Sequence, residues 1–154
     1  MNRREFAASI LAAAVMPLAL VHPVLAGTEA VYTGTVPGTG AGGYDVVAYF
    51  SEGKARPGEA GITAIHEGIT YRFASEANRA VFLGEPARYL PQYGGYCAWA
   101  VANGYTAHGD PEQWTVHDGR LYLNYSRAVR WRWERDIPGH VTSGDANWPR
   151  VLDE

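Results

Sequence analysis

Sulfur is scarce in this chain. Its 154 residues include one cysteine, Cys97, and two methionines, Met1 and Met16. There is no Cys-x-x-Cys and no histidine pair at helical i, i+4 spacing, which excludes a zinc site legible from spacing alone. A single cysteine cannot close an internal disulfide. Long apolar runs are also missing. The only one, Ala7 to Val21, is interrupted by Pro17 and falls short of the roughly 20 residues that span a bilayer. An excess of positive charge is absent too. The formal net charge of −3 gives no electrostatic reason to hold nucleic acid. What is present is ordinary for a globular domain. An apolar fraction of 47% against 19% charged residues argues against general disorder.

The chain opens with Arg3-Arg4-Glu5-Phe6 ahead of that apolar run, and Val24-Leu25-Ala26 then offers a small residue for cleavage. This pattern predicts a signal peptide over residues 1–26, of twin-arginine type, cleaved after Ala26 and directing the protein to the periplasm. No cysteine lies near that point to carry a lipid. Removal of 1–26 takes away both methionines and leaves 11 basic and 15 acidic residues. A mature chain without thioether excludes a methionine-rich copper chaperone. No span is expected after cleavage. Cys97 then stands alone in an oxidising compartment and asks for an explanation.

Residues 27–43, rich in Gly, Thr and Ala, read as a flexible leader, and Tyr44–Phe50 as a strand or strand-like entry. Glu67-Gly68 and Asp118-Gly119 are two-residue hairpin turns. The first pairs His66 with Ile69 and Ile62 with Phe73, so that Ile62, Ala64, His66, Ile69, Tyr71 and Phe73 share a buried face with His66 at its rim. The second pairs His117 with Arg120, placing Trp114, Val116, Leu121, Leu123 and Tyr125 on the apolar face. Thr115, His117, Arg120 and Tyr122 fall on the other. Ser75 is expected to cap a helix to about Gly84 that turns Val81 and Phe82 inward, and Pro86 to open a turn through Tyr89. Ser126 caps another helix, ended by Pro138-Gly139, with Val129, Trp133 and Ile137 as its apolar stripe. Trp148 is expected to pack back on the body, since a free tail would expose a large indole. No internal repeat is evident. The expected fold is α+β, a small single domain of two β-hairpins with two or three short helices.

Cys97 lies in Tyr93-Gly94-Gly95-Tyr96-Cys97-Ala98-Trp99, where glycines permit close backbone approach and aromatics surround the thiol. Buried among rings, such a thiol is an inert apolar residue. Beside a polar cleft it is a soft-metal ligand or a redox nucleophile. The histidines beyond residue 26 are His66, His108, His117 and His140. His108, in the polar stretch Thr106–Asp110, is placed to complete a Cys/His pair or simply to be a solvated loop residue. His117 reads as a surface residue, and His140 as an exposed one at a helix end. Arg127, Arg130, Arg132 and Arg135 interleave with Trp131 and Trp133. The two indoles are about 200° apart on a helix, so they cannot form one base-stacking surface.

The run His66-Glu67-Gly68-Ile69-Thr70-Tyr71-Arg72-Phe73-Ala74-Ser75, followed by Phe82, Pro86 and Tyr89, resembles a YHS domain. From Gly43-Tyr44-Asp45 to Asn147-Trp148-Pro149 the chain is similar to the exported YHS subgroup, with its Gly-Gly-Tyr-Cys segment and Asp-Ile-Pro-Gly ending. That resemblance implies a domain over 44–149, followed by a short tail at 150–154. The family's usual cysteine pair is missing here, since Ala74 and either Asn78 or Arg79 stand at its positions. Some relatives carry selenocysteine, at the place of Cys97, which implies an exposed redox-active or soft-metal-binding atom. The expectation is therefore a soft-metal binding protein, with copper the first candidate and Cys97, His66 and His108 as ligands. The alternatives are a thiol oxidoreductase that needs an external thiol, and a partner-binding module with an inert cysteine.

Overall fold

The computed structural model describes residues 27–154; the signal peptide expected over 1–26 lies outside them. The architecture is α+β, with two separate antiparallel hairpins and six short helices among the described residues. That is more helix than the pattern predicts. In chain order, a 3₁₀ turn at Gly40–Gly43 leads into α1 (Ala48–Ser51). The first hairpin follows as β1 (Glu59–His66) and β2 (Ile69–Phe73), then α2 (Glu76–Gly84) and α3 (Pro86–Tyr89). A second 3₁₀ turn at Gln92–Gly95 leads into α4 (Ala98–Ala102). The second hairpin is β3 (Asp110–His117) with β4 (Arg120–Asn124), followed by α5 (Arg127–Glu134) and α6 (Ile137–Asn147).

Written out this way, the chain says the same thing twice. Ala41, Gly42 and Gly43 have φ of 51°, 59° and 80°, and Tyr93, Gly94 and Gly95 have 57°, 61° and 81°. After each turn a backbone N–H crosses to the loop before the hairpin, Asp45 to Arg56 and Cys97 to Ala107, both at 2.8 Å. Each hairpin has its bulge at the same place, between Glu59 and Thr63 and between Asp110 and Trp114. Ser75 and Ser126 cap the following helices, their Oγ atoms accepting from Asn78 N–H at 3.1 Å and Val129 N–H at 3.2 Å. Phe82 and Trp133, at matching places on those helices, are both fully buried. The domain is thus an internal structural repeat, contrary to the expectation of none. Matched residues such as His66 and His117, Tyr71 and Tyr122, and Ser75 and Ser126 carry it in the sequence as well.

Several expectations need correction. Tyr44–Phe50 is not a strand, because the left-handed turn feeds it into α1. Ile62 does not face Phe73. The bulge shifts the register so that Glu59 does. Val81 is 46% exposed, and Phe82 alone reaches the core from that part of α2. Pro138 does not stop a helix but sits in the first turn of α6, where its missing N–H costs nothing. The second hairpin keeps the expected pairs His117–Arg120, Val116–Leu121, Thr115–Tyr122 and Trp114–Leu123. Its β4 is nevertheless buried on both faces, with Tyr122 and Asn124 as enclosed as Leu121 and Leu123, while Tyr125 is exposed. Helices packed behind the strand cover the face that alternation alone assigns to solvent.

The core has one cluster per half and a third at the junction. Val46, Tyr71, Phe73 and Phe82 lie in the first, Tyr93, Tyr96, Tyr122 and Trp133 in the second, and Tyr49 joins Leu121 and Leu123 in the third. Trp148 packs against Tyr93 and Tyr96, as expected. The 27–43 segment is tied down at several points. Thr28 N–H donates to Leu152 O at 3.2 Å, Tyr32 N–H donates to Gly94 O at 2.9 Å, and Tyr96 Oη donates to Glu29 O at 2.6 Å.

Candidate functional site

Cys97 ends the second glycine turn and stands immediately before α4. The left-handed backbone at Tyr93–Gly95 swings the chain inward, so the thiol enters the space between α4 and the end of β4 with only 1% of its surface exposed. Tyr125 N–H donates to Sγ at 3.3 Å, and Sγ–H donates to Asn124 Oδ1 at 3.5 Å. Trp99 N–H, at the start of α4, donates to Asn124 Oδ1 at 3.0 Å beside the sulfur. Burial pushes the thiol pKa up, and the N–H groups of Ala100, Tyr125 and Trp99 pull against that rise without cancelling it.

Asn124 is the unusual neighbour. It is wholly buried, its Oδ1 accepts from Trp99 N–H at 3.0 Å as well as from the thiol, and its Nδ2 has no partner. A buried amide nitrogen with no acceptor is expensive to keep, about 1–3 kcal/mol. Here it belongs to the side chain that touches the sulfur.

A cavity of about 270 Å³ adjoins the thiol, lined by Cys97, Trp99, Tyr105, Ala107, Tyr125, Val129 and Arg132. Its walls are mainly aromatic and aliphatic, with one guanidinium, and Arg132 makes no ion pair among the described residues. A larger cavity of about 370 Å³ lies elsewhere, among His117, Arg120, Tyr122, Val141 and Thr142. It holds no thiol, and its Arg120 is already 3.6 Å from Asp145. The smaller cavity is the one that Cys97 lines.

The histidines are not gathered around Cys97. His66 belongs to the first half, with its ring edge-on to Phe82 at 6.1 Å and its Nε2 3.9 Å from Glu67, beside a different cavity. His108 is exposed, with ring centres 4.4 Å from Tyr125 and 5.9 Å from Tyr32, and it does not line the thiol cavity. No group of three or more His, Cys, Asp or Glu residues is placed to hold a metal among the described residues. The three expected ligands, Cys97, His66 and His108, are thus not gathered in one site among the described residues. His117 is half-buried beside Asp118, and His140 is half-buried with Nδ1 2.9 Å from Trp133 O, at the end of α5.

Asn124 is the functional candidate that sequence reading passed over. Strand alternation puts position 124 on the side opposite Leu123, where a polar residue looks solvated. Only the packing of α4 against β4 encloses it. No family model matches the chain, nor does any curated protein or solved structure.

Proposed function

We propose that the protein is an exported, YHS-like thiol oxidoreductase in which Cys97 is the redox centre and a small peroxide is the oxidant. The observation that supports this reading is a thiol among N–H donors in the wall of a cavity with one unpaired cation. The cavity admits a small molecule, and Arg132 favours an anionic or acid-bearing one. In the first step the thiolate attacks one peroxide oxygen, so that Cys97-SH and ROOH give Cys97-SOH and ROH. With one cysteine in the chain, two molecules of an external thiol complete the cycle, giving Cys97-SH, a disulfide and water. The N–H groups of Trp99, Ala100 and Tyr125 orient the sulfur and stabilise its negative charge while it attacks. Because burial raises the thiol pKa, the reaction runs through a minor thiolate fraction at neutral pH and accelerates as pH rises.

Peroxide consumption in the presence of a small thiol tests this. The wild-type chain is expected to consume peroxide and to be trapped by a cyclic 1,3-dione, which captures sulfenic acid. Cys97→Ser is expected to fold and do neither, because its hydroxyl is of similar size but a far poorer nucleophile. Tight anaerobic uptake of Cu(I) by the wild type, with no peroxide reaction, would favour the metal-binding alternative instead.

A further inference from the structure

The duplication shows what the Cys97 position is for. Its counterpart in the first half is Asp45, which follows Gly43-Tyr44 as Cys97 follows Gly95-Tyr96. Asp45 is wholly buried, and its two oxygens accept four hydrogen bonds. Oδ1 takes Val47 N–H at 2.9 Å and Ala48 N–H at 3.3 Å; Oδ2 takes Ala74 N–H at 2.8 Å and Asn78 Nδ2 at 2.8 Å. Of the corresponding N–H groups, that of Tyr125 donates to the Cys97 sulfur at 3.3 Å, that of Ala100 lies beside it, and that of Trp99 donates to Asn124 Oδ1 at 3.0 Å. Trp99 and Ala100 stand where Val47 and Ala48 do, and Tyr125, just before the capping Ser126, stands where Ala74 does before Ser75. The backbone has kept a cradle for a two-oxygen anion and holds in it a side chain with one sulfur.

Two further changes separate the halves. Asn78, the fourth donor to Asp45, is replaced by Val129, which lines the cavity beside the thiol. A new amide donor appears at Asn124, where the first half has Phe73, and its buried Nδ2 is left without an acceptor. The second half is therefore short of an acceptor atom, on the same side chain whose Oδ1 touches the sulfur.

We propose that Cys97 is an oxidation site at which peroxide carries the thiol to the sulfinate, and that the cradle holds the two sulfur-bound oxygens as its counterpart holds the carboxylate oxygens of Asp45. A sulfinate is the nearest shape to an aspartate side chain that a cysteine can take. It is anionic at neutral pH and presents two acceptor oxygens to the N–H groups of Ala100 and Tyr125, and to those of Trp99 and Asn124 once the amide turns its Nδ2, in place of its Oδ1, toward the sulfur. The step balances with peroxide as the named oxidant. Cys97-SH and ROOH give Cys97-SOH and ROH. The sulfenate with a second ROOH then gives Cys97-SO₂⁻ and ROH, so each peroxide is reduced by two electrons and the sulfur loses four in all. The inference rests on the thiol reading above and adds its regulation: peroxide in excess over external thiol removes the protein from the cycle in a folded, locked state.

The experiment treats the full chain with graded hydrogen peroxide, with and without a small thiol, and follows peptide mass around Cys97 and the thermal midpoint together. Two oxygens added at Cys97, with a midpoint equal to or above that of the reduced protein, are expected. Cys97→Asp should fold and melt above Cys97→Ala, because a carboxylate restores the acceptors that alanine removes. Asn124→Leu should narrow the gap between the oxidised and reduced midpoints. Addition of one oxygen that external thiol always reverses, and never of two, overturns the inference and leaves the oxidoreductase reading standing. No oxygen added at all overturns both. A sulfinate that melts lower, progression to three oxygens, or a Cys97→Asp chain less stable than Cys97→Ala each overturns the cradle argument.

Discussion

At the scale of single residues, the most consequential comparison is between Asp45 and Cys97. Both close a left-handed turn, and both accept a backbone N–H from the end of the hairpin, while the start of the next helix donates to Asp45 directly and, through Trp99, to the Asn124 oxygen beside Cys97. Asp45 stabilises its half by satisfying four donors at once, the Val47 and Ala48 N–H groups in buried bonds and the Ala74 N–H and Asn78 amide in part-buried ones. Asp45→Ala strands them, and at about 1–3 kcal/mol for each of the two buried groups the expected loss is roughly 2–6 kcal/mol, measurable by urea unfolding. Asp45→Asn should cost less, since it keeps one oxygen acceptor. At Cys97 the same surroundings act on a group that ionises. Burial raises its pKa despite the N–H groups, so alkylation of the native chain by a small reagent should be slow at neutral pH and quicken with pH. Arg132, Tyr105 and Tyr125 are the titratable or charged side chains facing the thiol across its cavity. A rate as fast and as pH-independent as that of an acidic thiol would contradict the burial argument.

Elements in this fold are short, and most of them are held by a cap and a turn more than by helix propensity. Ser75 begins α2 and Ser126 begins α5 with the same side-chain bond to the third residue on. Loss of such a cap costs about 1 kcal/mol. Ser75→Ala and Ser126→Ala are each expected to lower stability by about that much. Their effects should add in the double variant, because the two caps sit in different halves and share no partner. Strong non-additivity in denaturant unfolding would mean that the halves are more tightly coupled than their separate clusters indicate. The glycine turns matter in the same way. Gly94 has φ of 61° and carries its backbone against Ala30 O, where a Cβ would collide with that carbonyl. The segment before the repeat is thus fastened to the turn that presents Cys97.

For the whole molecule, aromatic burial sets the response to alkali. Tyr71 is pushed up to about 12 by burial and then by the Glu67 carboxylate, and burial raises Tyr49 and Tyr93 further. Their folded pKa values lie above the unfolded value of about 10. The stability they contribute is therefore complete below pH 10 and is lost as pH climbs toward and past 12. Tyrosinate absorbance should accordingly lag behind that of a denatured chain and appear together with unfolding. Early titration of all tyrosines in a folded protein would refute this. Export belongs to the same scale. Arg3→Lys with Arg4→Lys is expected to hold the protein in the cytoplasm while it still folds, and undiminished periplasmic protein from that variant would sink the twin-arginine reading.

Sequence by itself determined the α+β class, the two hairpin turns, the serine caps and the register of the second hairpin, because each depends on a few neighbouring residues. Glu67-Gly68 and Asp118-Gly119 occupy left-handed positions whatever packs around them, and a serine oxygen finds its own helix N–H locally. It also singled out Cys97, from scarcity alone. Tertiary structure decided the rest. The repeat leaves traces in the letters, Gly-Gly-Tyr before each site and His66, Gly68, Tyr71 and Ser75 matched by His117, Gly119, Tyr122 and Ser126. They are thin enough to pass unread until the backbone aligns them, because other matched positions exchange chemistry, Asp45 for Cys97, Asn78 for Val129 and Phe73 for Asn124. Whether Cys97 meets a histidine or an amide also depended on long-range packing. The hairpin end carrying Asn124 and the N–H of Tyr125 closes over the sulfur, while His108, only eleven residues from Cys97 in the chain, faces outward between two tyrosines. Sequence distance constrains a loop's reach but not the side on which its side chains emerge. Here the strand order and the two left-handed turns made that choice.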